Sequence, residues 1–124
     1  MIEELISFET AKLASEKKYP QKDCYYRFLL NGEDSYDYSI DWMNDRAISR
    51  PTQTLLQKWL RETHNIFVTV EPIYYFKGDN IGYSATVNSL SSKNQGELLL
   101  DGFTIYLNYK EALEQGLYES LKLI

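Results

Sequence analysis

Cys24 and His64 are the only cysteine and histidine of the chain. A cysteine nucleophile needs a neighbouring base to raise its thiolate character, and His64, with Asn65 as an orienting amide, would complete a protease- or transferase-like set. The surroundings argue against that chemistry. Cys24 heads an aromatic stretch that reads as a strand, not the start of a helix whose dipole would lower the thiol pKa. No flanking motif of a known cysteine enzyme accompanies it. A small buried thiol and a histidine ending a helix are the simpler readings. A single cysteine also leaves no internal disulfide, which fits a reducing cytosol.

The second constellation is acidic. Between Asn31 and Asp45 lie Glu33, Asp34, Asp37, Asp41 and Asp45, with no lysine or arginine among them. The 124 residues carry 13 Lys+Arg and 18 Asp+Glu, a net charge of −5. This one stretch therefore holds the whole excess, and the remainder is neutral. Clustered oxygens suit hard cations, but a calcium loop needs alternating acids, a central glycine and a terminal glutamate. Asp37, Asp41 and Asp45 recur every four residues and lack both. One Cys and one His cannot complete a four-ligand zinc site. No metal site is expected.

The same acids interleave with Tyr36, Tyr38 and Trp42. Such a surface would imitate a phosphate backbone or dock on a basic partner, the aromatics supplying contact area and the acids steering. Asp34, Tyr36, Asp37, Tyr38, Asp41 and Trp42 are accordingly the candidate partner-binding residues. The plainer alternative is that the aromatics pin the loop to the body. A third set, Tyr74, Tyr83 and Tyr106, would sit on a tyrosine-rich sheet face able to take a small ligand or host an enzyme site.

The negative balance opposes direct nucleic-acid binding, which needs clustered Lys/Arg. The phosphate-cradling, nucleophile-elbow and zinc-protease motifs do not occur, so no cofactor and no catalytic residue is assigned. The longest apolar runs, such as Ile73–Phe76, fall far short of the roughly 20 residues of a membrane span. Met1-Ile2-Glu3-Glu4 lacks the basic start and apolar stretch of a secretory signal. A chain of this length is expected to form a single globular domain, 1–124.

The elements that must position these residues follow from pattern. Ser7 caps a first helix by accepting from the Thr10 amide, with Phe8, Ala11, Ala14 and Leu13 on its apolar face. That helix ends before Tyr19-Pro20, and Glu3–Ile6 is expected to lead into it as an extra turn. Asp23–Leu30 reads as a strand, Asn31-Gly32 as a turn, and 36–40 as a short second strand. The rest of the 31–50 region reads as a long loop. A central helix opens near Ser49–Pro51 with Leu55, Leu56, Trp59 and Leu60 on one stripe. No second helix lies close enough to make a DNA-reading pair.

Ile66–Phe76 is a strand in which Pro72 marks an edge or a bulge, and 81–87 returns as its hairpin partner. Residues 97–107 give one or two further strands around Asp101-Gly102. Asn108 caps a last helix, with Glu111 three residues on completing a variant of the capping box in which each side chain bonds the other's backbone amide, and the apolar face of that helix runs through Ala112, Leu113, Gly116, Leu117, Leu121 and Ile124. The expected fold is α+β, an antiparallel sheet of about four to five strands packed mainly on one face by two or three helices.

The stretches Ile6–Ala14, Arg50–Ile66 and Tyr109–Leu117 together resemble small uncharacterised phage and prophage proteins of gut bacteria, a family with no assigned activity. The resemblance implies a mobile-element setting and a cytoplasmic location in the bacterial host cell. It assigns no catalytic residue. The leading expectation is a small non-enzymatic accessory protein that binds another protein, a basic one by charge. The alternative is a small-ligand-binding domain or enzyme using the tyrosine-rich sheet face. Assembly into a homo-oligomer is a third expectation.

Overall fold

The computed structural model describes residues 4–21, 27–29, 34–35, 47–74, 81–89, 97–100 and 104–124. Among them are three helices and six strands, an α+β fold with antiparallel sheets. The chain falls into two compact units, Met1–Leu56 and Gln57–Ile124.

In the first unit, α1 spans Phe8–Glu16. Ser7 is extended and its hydroxyl accepts from the Thr10 amide at 3.3 Å, the expected cap. Thr10, Ala11 and Ala14 are buried, while Phe8 and Leu13 are only half-buried. Thr10 takes a core position because its hydroxyl is bonded to Ser7 Oγ at 3.0 Å.

The helix closes with the left-handed turn usually given to glycine. Lys18 has φ 71°. The Tyr19 amide donates to the Ala14 carbonyl at 2.9 Å, and the Lys18 amide to that of Ser15 at 3.1 Å. A lysine there carries a Cβ penalty that glycine avoids. Lys18→Gly is expected to raise stability by up to about 1 kcal/mol, read from the urea midpoint at unchanged slope.

Residues 4–6 are tied down in extended form. Leu5 bridges Thr52, the Ile6 amide donates to the Pro51 carbonyl at 3.2 Å, and the Gln53 amide donates to the Glu4 carbonyl at 2.8 Å. Arg50 Nε donates to the Ile6 carbonyl at 3.0 Å. The expected extra helical turn over 3–6 is therefore corrected at residues 4–6. Their backbone groups pair across the chain instead of along it.

Strands β1 (Arg27–Leu29), β2 (Asp34–Ser35) and β3 (Ala47–Ser49) form an antiparallel sheet in the order β2-β1-β3. β2 pairs with β1 at Asp34–Ser35, and the short strand expected over 36–40 lies outside the described residues. β3 was expected to be loop. It is held at Ser49, whose amide donates to Gln21 Oε1 at 2.7 Å and whose hydroxyl donates to the Pro20 carbonyl at 3.1 Å.

Helix α2 spans Gln53–His64. Its cap is Thr52, whose Oγ1 accepts from the Leu55 amide at 3.1 Å, so the start is three residues beyond Ser49. The expected stripe also shifts. Leu56 and Leu60 are fully buried and Trp59 half-buried, but Leu55 is exposed and Gln53 is buried. Residues 53, 56 and 60 share one helical face, and Leu55 lies off it. Asn65, at φ 56°, ends the helix as expected of a left-handed-tolerant residue.

In the second unit, β4 (Ile66–Ile73), β5 (Gly82–Ser89) and β6 (Glu97–Leu100) form an antiparallel sheet in that order. Among the described residues the strands form two three-stranded antiparallel sheets, where the sequence led to one sheet of about four to five strands. Each is built from strands close in the chain, and α2 separates β3 from β4. Among the described residues β4 is an edge strand, one of the two settings, edge or bulge, that Pro72 allowed.

The position of Pro72 is specific. It faces Tyr83, whose amide and carbonyl both bond Tyr106 on the other side. Pro72 and Tyr83 are therefore a non-hydrogen-bonded pair, and the N–H that proline lacks would have pointed off the sheet. Val68 has the same parity. Its carbonyl, also on the outer edge, accepts from Gln57 Nε2 at 2.6 Å.

Helix α3 (Tyr109–Leu121) packs on the face bearing Val68 and Ala85. Asn108 Oδ1 accepts from the Glu111 amide at 2.8 Å. Ala112, Leu113, Gly116, Leu117, Ser120 and Leu121 are buried, and Ser120 disposes of its hydroxyl on the Gly116 carbonyl at 2.7 Å. Gly116 permits the close approach: a Cβ there would lie 2.7 Å from Val68 Cγ1 and 3.0 Å from Ala85 Cβ.

Candidate functional site

Of the predicted partner-binding residues, Asp34 lies in β2, and Tyr36, Asp37, Tyr38, Asp41 and Trp42 lie outside the described residues. Cys24 lies outside them too. His64 packs edge-on against Trp59, ring centroids 4.8 Å apart and planes at 76°, with a buried Nε2 that meets no hydrogen-bond partner. That is the packing of a histidine seated on an aromatic ring. Among the described residues no three His, Cys, Asp or Glu side chains are grouped to hold a metal ion. No described helix is long and apolar enough to cross a membrane.

The tyrosine set fares better. Tyr83 and Tyr106 form an antiparallel bridge, Tyr83 N–H to Tyr106 O at 2.8 Å and Tyr106 N–H to Tyr83 O at 2.7 Å. The Tyr83 ring meets Tyr109 edge-on at 6.1 Å. Tyr74 is not part of this group. It stands exposed just past the end of β4, one residue after the last rung, between Ile73 and Gly82.

Tyr106 also borders a hollow of about 430 Å³, lined further by Asn108, Lys110, Glu111, Glu114 and Gln115. A smaller recess of about 110 Å³ lies between Ala85, Thr104, Tyr106, Gln115 and Glu119. Along β5 it lies beside Ala85, between the Tyr83 bridge and the Val87–Leu100 pair. Gln115 Nε2 donates to Glu119 Oε1 at 2.9 Å, and Lys122 Nζ approaches Glu119 Oε2 at 3.1 Å.

Burial raises the Tyr106 phenol above its ordinary value. The negative charge of Glu119 adds to the rise, and a hydrogen bond with the Thr104 side chain opposes it. At neutral pH the group is therefore a neutral O–H, able to donate and accept but not to act as a base. With a raised folded-state pKa, its contribution to stability is complete below the unfolded value and is lost as pH climbs through the folded one. Ultraviolet titration of phenolate absorbance should show one tyrosine ionising late. Glu119→Gln should move that step back toward the others, and an unmoved step would contradict the assigned cause.

Tyr106, which borders the hollow, was singled out in the sequence as a tyrosine on a strand-like stretch. Glu111 was read only as a capping residue, and Gln115 and Glu119 were not singled out. Their spacing was the available signal, since 111, 115 and 119 recur every four residues on one side of α3. No protein-family model, no curated protein and no solved structure matches the chain.

Proposed function

We propose that the protein acts by binding a basic protein partner, with the Tyr106 hollow at the head of α3 as a contact. The observation that carries this reading is the character of the hollow. Two carboxylates, Glu111 and Glu114, line it around a single aromatic ring, Tyr106, with the stems of Lys110 and Gln115 beside them. Glu111 and Glu114 outnumber Lys110, and exposed Ile105, Leu107 and Tyr109 adjoin it in the chain. An aromatic centre, carboxylates and exposed apolar residues are the ingredients of a protein contact.

The net charge of −5 sets the sign of the partner. The acidic stretch over 31–45, with Asp34, Tyr36, Asp37, Tyr38, Asp41 and Trp42, adds long-range attraction in this reading.

A short lysine-rich peptide, titrated by fluorescence anisotropy against its glutamate-rich counterpart, tests the proposal. The basic peptide should bind, its affinity should fall with added salt, and Glu111→Gln with Glu114→Gln should weaken it roughly tenfold. Asp37→Asn with Asp41→Asn should lower the association rate and flatten its salt dependence. Equal binding of both peptides, or none by either, would overturn the reading.

A further inference from the structure

We infer that the recess between Ala85, Thr104, Tyr106, Gln115 and Glu119 is a subsite for a primary ammonium group, the tip of a lysine on the basic partner. The inference rests on the proposed basic partner and specifies which of its side chains is gripped, and where.

The described lining comes from three places within the second unit. Ala85 is a buried residue of β5, Gln115 and Glu119 stand about one turn apart on α3, and Thr104 and Tyr106 belong to the segment leading into that helix. They enclose about 110 Å³. A water takes roughly 30 Å³ in the liquid, so the recess has room for a methylene and its ammonium. Tyr106 and Gln115 also line the larger hollow, so the two spaces share a wall.

The polar atoms of this lining are mainly acceptors. Gln115 spends its amide nitrogen on Glu119 Oε1 at 2.9 Å and keeps its carbonyl oxygen as an acceptor. Thr104 and Tyr106 contribute two hydroxyl oxygens, already joined by a hydrogen bond. Glu119 brings the only formal charge of the described lining. Burial first and that charge second keep the Tyr106 phenol protonated, so the carboxylate is felt inside the recess. Oxygens on four residues, one negative charge and the Ala85 methyl suit a group with three N–H donors, one positive charge and an alkyl stem.

Glu119 already shows how it takes such a group. Lys122 Nζ lies 3.1 Å from Oε2 and 3.3 Å from Oε1, through a half-exposed side chain that does not line the recess. A carboxylate has about four acceptor sites, and among the described residues Oε2 receives only Lys122. Oε2 can therefore accept a second ammonium. An exposed ion pair of this kind also yields easily, and the Tyr118 ring, 5.4 Å from Lys122 Nζ, holds the lysine if it leaves. The same geometry disfavours arginine. A guanidinium fork needs both carboxylate oxygens side by side, and Lys122 straddles them, whereas an incoming lysine needs one.

A short lysine-rich peptide is the probe, beside peptides of equal charge carrying arginine or trimethyllysine instead. Lysine should bind at least about fivefold more tightly than either, and it alone should shift the Gln115 side-chain amide resonances in nitrogen-15 NMR. Those resonances read the unsubstituted protein, so the test does not hang on a variant's folding. Glu119→Gln should abolish the preference for lysine over arginine. Lys122→Met removes the rival cation and should tighten lysine binding about two- to threefold. Equal binding of lysine and arginine with unmoved Gln115 resonances would refute the subsite while the basic-partner reading stands. Tightest binding by trimethyllysine, which has no N–H to donate, would place the cation on an aromatic face and overturn the proposal too. If no peptide binds, the basic-partner reading falls and the inference with it.

Discussion

Gly116→Ala is expected to destabilise the second unit by about 1–2 kcal/mol, although alanine is the better helix former by about 1 kcal/mol. The added methyl would sit 2.7 Å from Val68 Cγ1 and 3.0 Å from Ala85 Cβ. Neither neighbour yields easily. Val68 is β-branched and buried, and the Ala85 Cβ moves only with the β5 backbone. Overpacking of this kind costs roughly 1–3 kcal/mol, enough to outweigh the helix gain. Val68→Ala removes the nearer obstacle. The double variant should therefore lose less than the sum of the two single losses, with a coupling of about 0.5 kcal/mol or more in urea unfolding. A more stable Gly116→Ala protein, or strict additivity, would show that α3 can retreat from the sheet at no cost.

Ile6→Ala should be costlier still, by about 2–5 kcal/mol. Ile6 is fully buried, and its backbone is bonded at both ends, to the Pro51 carbonyl and to Arg50 Nε. Such fixing leaves the site little freedom to collapse around a lost side chain, so the cavity term is retained. Leu55→Ala, on an exposed leucine, is the control and should stay within about 0.5 kcal/mol. The midpoint of urea unfolding reads both. Comparable losses in the two variants would mean that residues 4–6 are not anchored as described.

These two positions also mark what could be read in the sequence. The caps at Ser7 and Asn108, the β4–β5 hairpin and the edge role of Pro72 all rest on interactions within a few residues, or on a chemical incapacity of one residue. Local pattern carries that information. Ile6 sits in a segment with no periodicity of its own. Its structure comes from Thr52 and Pro51, more than forty residues on. β3 is three residues long and is pinned by the Gln21 side chain, which no propensity records.

The candidate site divides the same way. Tyr83 and Tyr106 were named from residue type, and of the one or two strands expected over 97–107 the described residues hold β6 and, beyond it, the Tyr83–Tyr106 bridge. Asn108 was read correctly as a cap. Its partner Glu111 was assigned to the cap alone, and the return bond expected from that carboxylate to the Asn108 amide is absent among the described residues. The carboxylate lines the hollow instead.

The β4 rim bears on how copies of this chain could stack. Fibrous growth by edge addition needs every subunit to offer both a donor rim and a receiving one. Pro72 lacks an outward donor and Gln57 occupies the outward Val68 carbonyl, so β4 is a poor receiving rim and head-to-tail growth through it is disfavoured.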